Sequence, residues 1–182
     1  MTSIIKVNTI QDVGGNNLLI SNGSGSITTN NIGGQNTPAF RAYSGNDQTI
    51  SDNTPTRVAM NNEDFDTDGC YDHTTNYRFT PNVAGKYFVF AQVNCNADAG
   101  ENIHFAIAFI EKNGSEIVRN NVDPHNGSKS NQTYNYLATI VDMNGSSDYL
   151  DVFAQIDVAS GSPIISAGTQ GTYFGAYRLI GA

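Results

Sequence analysis

Apolar and polar positions alternate with a period of two along most of this chain, and no stretch carries the three-to-four spacing of an amphipathic helix. In Gly85–Cys95, Tyr87, Val89, Ala91 and Val93 fall on one side, with Phe88, Phe90 and Gln92 on the other. A strand apolar on both sides is expected to be covered on both. In 102–120, Ile103, Phe105, Ile107 and Phe109 alternate with His104, Ala106, Ala108 and Ile110. Asn113-Gly114 supplies a hairpin turn. The small Ala106 and Ala108 are expected to mark a surface that another chain approaches closely. Residues 133–158 repeat the theme with a break at Asn144-Gly145. Shorter strands are predicted at 38–44, 56–60, 77–80 and in the closing 171–182 stretch. About eight to ten strands at this even spacing predict an all-β sandwich or jelly roll.

Residues 1–36 read differently. Short β-like runs at Ile4–Ile10, Leu18–Ile20 and Ser26–Asn30 are punctuated by Gly-Gly and Asn-Gly, and Gly33-Gly34-Gln35-Asn36 reads as a hinge. The segment is too short to bury a core alone. Its apolar runs favour pairing, with copies of itself or with another protein. The predicted organisation is therefore an N-terminal β anchor or intertwined stalk over 1–36 and a jelly-roll head over 37–182.

Composition narrows the function. Only 14% of the 182 residues are charged and 38% are hydrophobic, and the net charge is −8. No basic stripe for nucleic acid is present, and an anionic membrane would repel this surface. No stretch is long enough to span a bilayer as a helix, so membrane insertion is not expected. The start has one Lys and no long apolar run, which does not read as a signal peptide, so the chain is expected to fold in a cytoplasm. In that compartment the N-x-S/T triplets at Asn22, Asn113, Asn126, Asn131 and Asn144 carry no glycan meaning. Cys70 and Cys95 lack metal or redox spacing, and whether they are bridged is open.

The segment 61–75 spells D-x-D-x-D-G, the opening of a calcium loop, with Asp64, Asp66, Asp68 and Gly69 in the first positions and Asp72 in the ninth. Thr75 stands where a bidentate Glu belongs, and no helix flanks the loop, so it is not an EF-hand. Two readings remain: a structural Asp/Gly turn before a sandwich strand, or a weaker calcium site on Asp64, Asp66, Asp68 and Asp72. No other cofactor is implied. His73, His104 and His125 share no ligand spacing. His104, in an apolar strand, reads as a satisfied buried or interface imidazole. Ser24 in Gly23-Ser24-Gly25 has no strand–turn–helix around it and is not a nucleophile elbow. No catalytic residue is assigned. The Asn/Gln/Tyr-rich loop 124–136 reads as a solvated loop, with glycan binding as the functional alternative.

The residues from Cys70 to Phe90 resemble complement-subcomponent-q-type globular heads, through Arg78-Phe79-Thr80-Pro81 and Gly85-Lys86-Tyr87-Phe88-Val89-Phe90. Pro38-Ala39-Phe40, Lys112-Asn113-Gly114, Asn144-Gly145, Tyr149 to Phe153 and Thr172 to Tyr177 follow in the family's order, over about residues 37–182. The resemblance implies a ten-stranded jelly roll of the tumour-necrosis-factor superfamily shape, assembled as a homotrimer. No collagen-like stalk precedes it. Instead Ser3 to Ile10 resembles the N-termini of bacteriophage virion and fibre proteins. Together these imply a non-enzymatic virion surface protein, made in the host cytoplasm: a trimeric head fibre, capsid decoration or short tail appendage. Its expected partners are its own copies, another virion protein through residues 1–36, and a host surface glycan. The alternatives are a glycan-binding adhesin tip of a tail fibre, a secreted glycan-binding module, or a fibre-borne polysaccharide hydrolase.

Overall fold

The computed structural model describes residues 7–25, 27–29, 35–97, 103–124 and 130–181. Among them there is no helix. The chain divides into two compact units, residues 1–35 and 36–180.

The first unit is an antiparallel meander of β1 (Thr9–Gln11), β2 (Asn17–Ser21) and β3 (Ile27–Thr29). The β1–β2 turn is closed by Asp12, which accepts from the Asn16 amide at 2.9 Å.

The second unit contains β4 (Ala39–Tyr43), β5 (Gln48–Thr49), β6 (Thr56–Arg57), β7 (Asn62–Asp66), β8 (Tyr71–Asp72), β9 (Arg78–Phe79), β10 (Gly85–Ala97), β11 (Ile103–Lys112), β12 (Ser115–Val122), β13 (Gln132–Met143), β14 (Leu150–Val158), β15 (Pro163–Ile165) and β16 (Tyr173–Arg178). They form a sandwich of a seven-stranded and a six-stranded sheet. In the first, β13 lies along one side of β10; β16 and then β15 lie along the other, with β4 and β7 beyond β16 and β5 beyond β15. In the second, β12, β11 and β14 run in order, and β9 and β6 share the far side of β14. Several of these segments are only two residues long, so they do not map one for one onto the ten strands that the resemblance implies.

The core lies between the sheets. Tyr87, Val89, Ala91, Val93 and Cys95 of β10 face Ala106, Ala108 and Ile110 of β11 and Leu150, Val152, Ala154 and Ile156 of β14, all buried. Phe40 is its aromatic centre, stacked on Tyr71 and on Phe79 at 4.6 Å and edge-on to Phe174 at 5.0 Å. The polar Asn135, wholly buried, donates from Nδ2 to the Ala106 carbonyl at 2.9 Å, which ties one sheet to the other. Ala106 and Ala108 therefore do not receive another chain. They are small because they lie within the chain's own sandwich.

The two Asn-Gly breaks do different work. Asn113 and Gly114 have φ of 53° and 78° and close the β11–β12 hairpin. Asn144-Gly145 instead joins strands of opposite sheets, since β13 pairs with β10 and β14 with β11. Gly145 has φ +71°, and a Cβ there would sit 2.2 Å from the Ala84 nitrogen and 2.5 Å from the Val83 carbonyl carbon. A main chain cannot swing aside as a side chain does. Gly145→Ala is expected to lower stability by more than ~1 kcal/mol, combining φ strain with this clash. Gly114→Ala meets nothing closer than the Tyr149 hydroxyl at 3.9 Å and should cost less. Thermal midpoints of the two variants, compared at equal concentration, check the order.

Candidate self-association face

The outer side of the larger sheet is built by strand parity. Because Tyr87, Val89 and Ala91 turn inward, Phe88, Phe90 and Gln92 turn outward. The registers extend them into rows across β13, β10, β16 and β4. Ile140, Phe88, Tyr177 and Ala39 make the first, and Ala138, Phe90, Gly175 and Arg41 the second. Tyr136, Gln92, Tyr173 and Tyr43 make the third. The rings are in register: Phe88 lies 5.5 Å from Tyr177 and 6.1 Å from Phe90, and Phe90 lies 6.3 Å from Tyr173. Gly175 leaves room for the Phe90 ring, whose edge comes within 2.4 Å of where a Cβ would stand.

The β13 side of this face is open, Phe88, Phe90, Tyr173 and Tyr177 are half-buried, and Gln92 is covered by the chain itself. Tyr136 is 61% and Ile140 59% exposed, and Tyr134, next in the outward line of β13, is 47% exposed. The expectation that β10 is covered on both sides thus holds fully on the inner side and, on the outer side, at Gln92 and Asn94 but not at Phe88 and Phe90, which are half-buried. At ~4.8 Å per strand and ~3.4 Å per residue, the rows span on the order of 300 Å² in projection. Apolar patches of that size on a folded unit commonly mark an interaction site.

The rows carry no charge on β13, β10 and β16, and Arg41 on β4 is their one charged member. Lys86 Nζ donates to Asp142 at 2.7 Å beyond the first row. Arg41, at the β4 border, pairs with Asp64, donates to the Thr169 carbonyl and lies 4.8 Å over the Tyr173 ring. Burial pushes the Tyr173 phenol up, and the Tyr136 phenol beside it adds to this. The end beyond the third row is amide-rich. Gln92 Nε2 donates to the Gln170 and Gly171 carbonyls at 2.7 and 2.8 Å, and Gln132 Nε2 donates to Asn94 Oδ1 at 2.9 Å.

The residues singled out for chemistry are dispersed. Asp64 and Asp66 lie on strand β7, not in a loop as the spelling suggests; Asp68 follows in the turn and Asp72 ends β8. Each carboxylate has protein donors. Asp64 takes Arg41, and Asp66 accepts from the Tyr71 amide at 2.7 Å. Asp68 accepts from Thr67 Oγ1 at 2.7 Å. Asp72 accepts from the Thr75, Thr74 and Asn76 amides at 2.9–3.0 Å, and these bonds, led by Thr75, hold its carboxyl far below the usual range. Among the described residues, no three acidic, His or Cys side chains gather in a way that could hold a metal ion. Adding millimolar calcium, or removing it with a chelator, is expected to leave the thermal midpoint unchanged. A calcium site at 100-fold saturation would instead add ~2.7 kcal/mol.

His73 Nδ1 pairs with Glu63 at 2.8 Å, and His104 Nδ1 with Asp157 at 3.0 Å. His104 is half-exposed at the outer side of the smaller sheet, not buried. His125 lies outside the described residues. Ser24 is exposed in the β2–β3 loop. Cys70 and Cys95 are unbridged and buried; burial raises both thiols, that of Cys95 to about 12. Glu111 and Asp151 face each other across β11 and β14, a carboxylate pairing that would interest a hydrolase. Asp151, however, has 1% of its side chain exposed, lies beneath Arg57 and Arg78 at 3.0 and 3.4 Å, and offers no surface to a substrate.

No known protein family matches the sequence, and no curated protein matches it. Solved structures do match in shape. The Eiger TNF of S. frugiperda aligns with a TM-score of 0.59 at 8% identity, over 78% of this chain and 91% of that one. Murine APRIL aligns at 0.53 and 14% identity, over 78% and 98%. The fold of this chain is therefore a TNF-like jelly roll.

Proposed function

We propose that this chain is a non-enzymatic, homotrimeric surface protein of a bacteriophage virion, serving as a head fibre, capsid decoration or short tail appendage. The observation that carries the trimer is the outward aromatic face of β13, β10 and β16, open along β13, half-buried at Phe88, Phe90, Tyr173 and Tyr177, and free of charge on those three strands. Copies of the head pack through it. The resemblance of Ser3 to Ile10 to virion proteins supports the location. In the head, Asp64, Asp66, Asp68, Asp72, His73 and His104 serve turns, strand pairings and ion pairs, which supports a binding or structural role.

Size exclusion with light scattering is expected to read three chains, and a clean monomer at micromolar concentration overturns the reading. Labelling on purified particles tests the location. Signal on the capsid lattice indicates decoration or head-fibre duty, signal at the tail tip indicates receptor contact, and absence from the particle defeats the virion reading. Exposed Tyr134 and Tyr136 beside the exposed Gln132 favour a second reading, a glycan-binding adhesin tip, because rings and an amide together suit sugar. Retention on host polysaccharide without release of reducing ends would select it.

A further inference from the structure

Among the described side chains of the β1–β3 meander none is buried: every one from Val7 to Gly25 is exposed or only half-buried. Ile10 stands opposite Leu19 and Thr9 opposite Ile20, so apolar groups occur on both faces. Val7 is 52% and Ile10 45% exposed. Val7, Asn8, Thr9, Ile10, Leu19 and Ser21 line a pocket of about 120 Å³. A small sheet with no buried face does not hold itself together in water.

The charge pattern indicates what covers it. Asp12 is the sole ionisable group between Val7 and Thr29, and it is engaged in its own turn by the Asn16 amide and Nδ2, both at 2.9 Å. Identical neutral faces can meet about a symmetry axis without like-charge repulsion, which a charged face could not do. We infer that the β1–β3 units of the copies pack on one another through Val7, Ile10 and Leu19 and so complete a shared apolar core. This rests on the trimeric reading of the head. Tethering to a common head holds the units at millimolar effective concentration, enough for weak apolar faces to associate.

The test uses the full-length chain. In Ile10→Cys the introduced thiol is exposed, whereas Cys70 and Cys95 are buried. A short bis-maleimide is expected to give a two-chain band on a denaturing gel from a sample that scatters as three chains. Adding Leu19→Asp should abolish that band. Leu19→Asp alone should speed amide exchange over Thr9–Gln11 and Asn17–Ser21 at least tenfold and leave β10 protected. A three-chain sample with no cross-link and rapid exchange in the unsubstituted meander overturns this inference while the trimeric head stands, and makes a different virion protein the occupant. A one-chain mass overturns the trimer and this inference with it.

Discussion

Phe88→Glu is expected to convert a three-chain particle into single chains that keep their β-sheet signature. Phe88 lies in the first outward row, opposite Ile140 and Tyr177, and points away from the sandwich core. In a monomer the new carboxylate reaches water, so the head stays folded. In the trimer it has no cationic partner within its row. Each copy loses ~1.5–3 kcal/mol of apolar burial. Desolvating an unpaired carboxylate adds several kcal/mol more, and the penalty recurs in every copy. The total is on the order of 10 kcal/mol or more, comparable with the affinity of a nanomolar complex. Light scattering reads the mass and far-UV circular dichroism the fold. A three-chain mass in the variant would show that the copies meet elsewhere.

The second large effect is expected at Phe40. Its ring is 1% exposed and touches Tyr71, Phe79 and Phe174, which come from β8, β9 and β16. Phe40→Ala removes the group that joins both sheets at that end, and the surrounding rings cannot all move in to fill the space. The expected cost is ~3–5 kcal/mol, a large share of the ~5–15 kcal/mol that holds a typical domain. Urea unfolding at fixed protein concentration should show a midpoint lowered by ~2 M, with the slope preserved. A loss below ~1 kcal/mol would mean that the cluster repacks around the gap.

These two residues also show what a linear reading reaches. The long strands β10, β11, β13 and β14 are legible because alternation survives for eight or more positions and turn residues bound them. β7 is not legible, because Asn62-Glu63-Asp64-Phe65-Asp66 lies at a sheet border and half of it faces water. Its acidic residues spell a metal loop in one dimension and an edge strand in three. Ala106 and Ala108 mislead for a related reason: a small residue signals close approach but not whose backbone approaches. Asn144-Gly145 marks a chain reversal without telling whether the next strand joins the same sheet, and here it crosses to the other. The outward aromatic face is half legible. The doubled apolar pattern of Phe88 and Phe90 is visible in β10, but Gly175, Tyr177 and Tyr136 join them only through the ladders with β16 and β13. Asp151 is the reverse case, a carboxylate that reads as surface and is enclosed by two arginines brought from β6 and β9.

The two thiols, one near the chain's acidic turn and one near the end of β10, are enclosed and hard to ionise. Nucleophilic attack by sulfur needs the anion and an approach path, and here both are withheld. Thiols held this way are expected to keep the chain's covalent structure the same in reducing and in aerated solution. Storage in air should therefore not link one copy to the next.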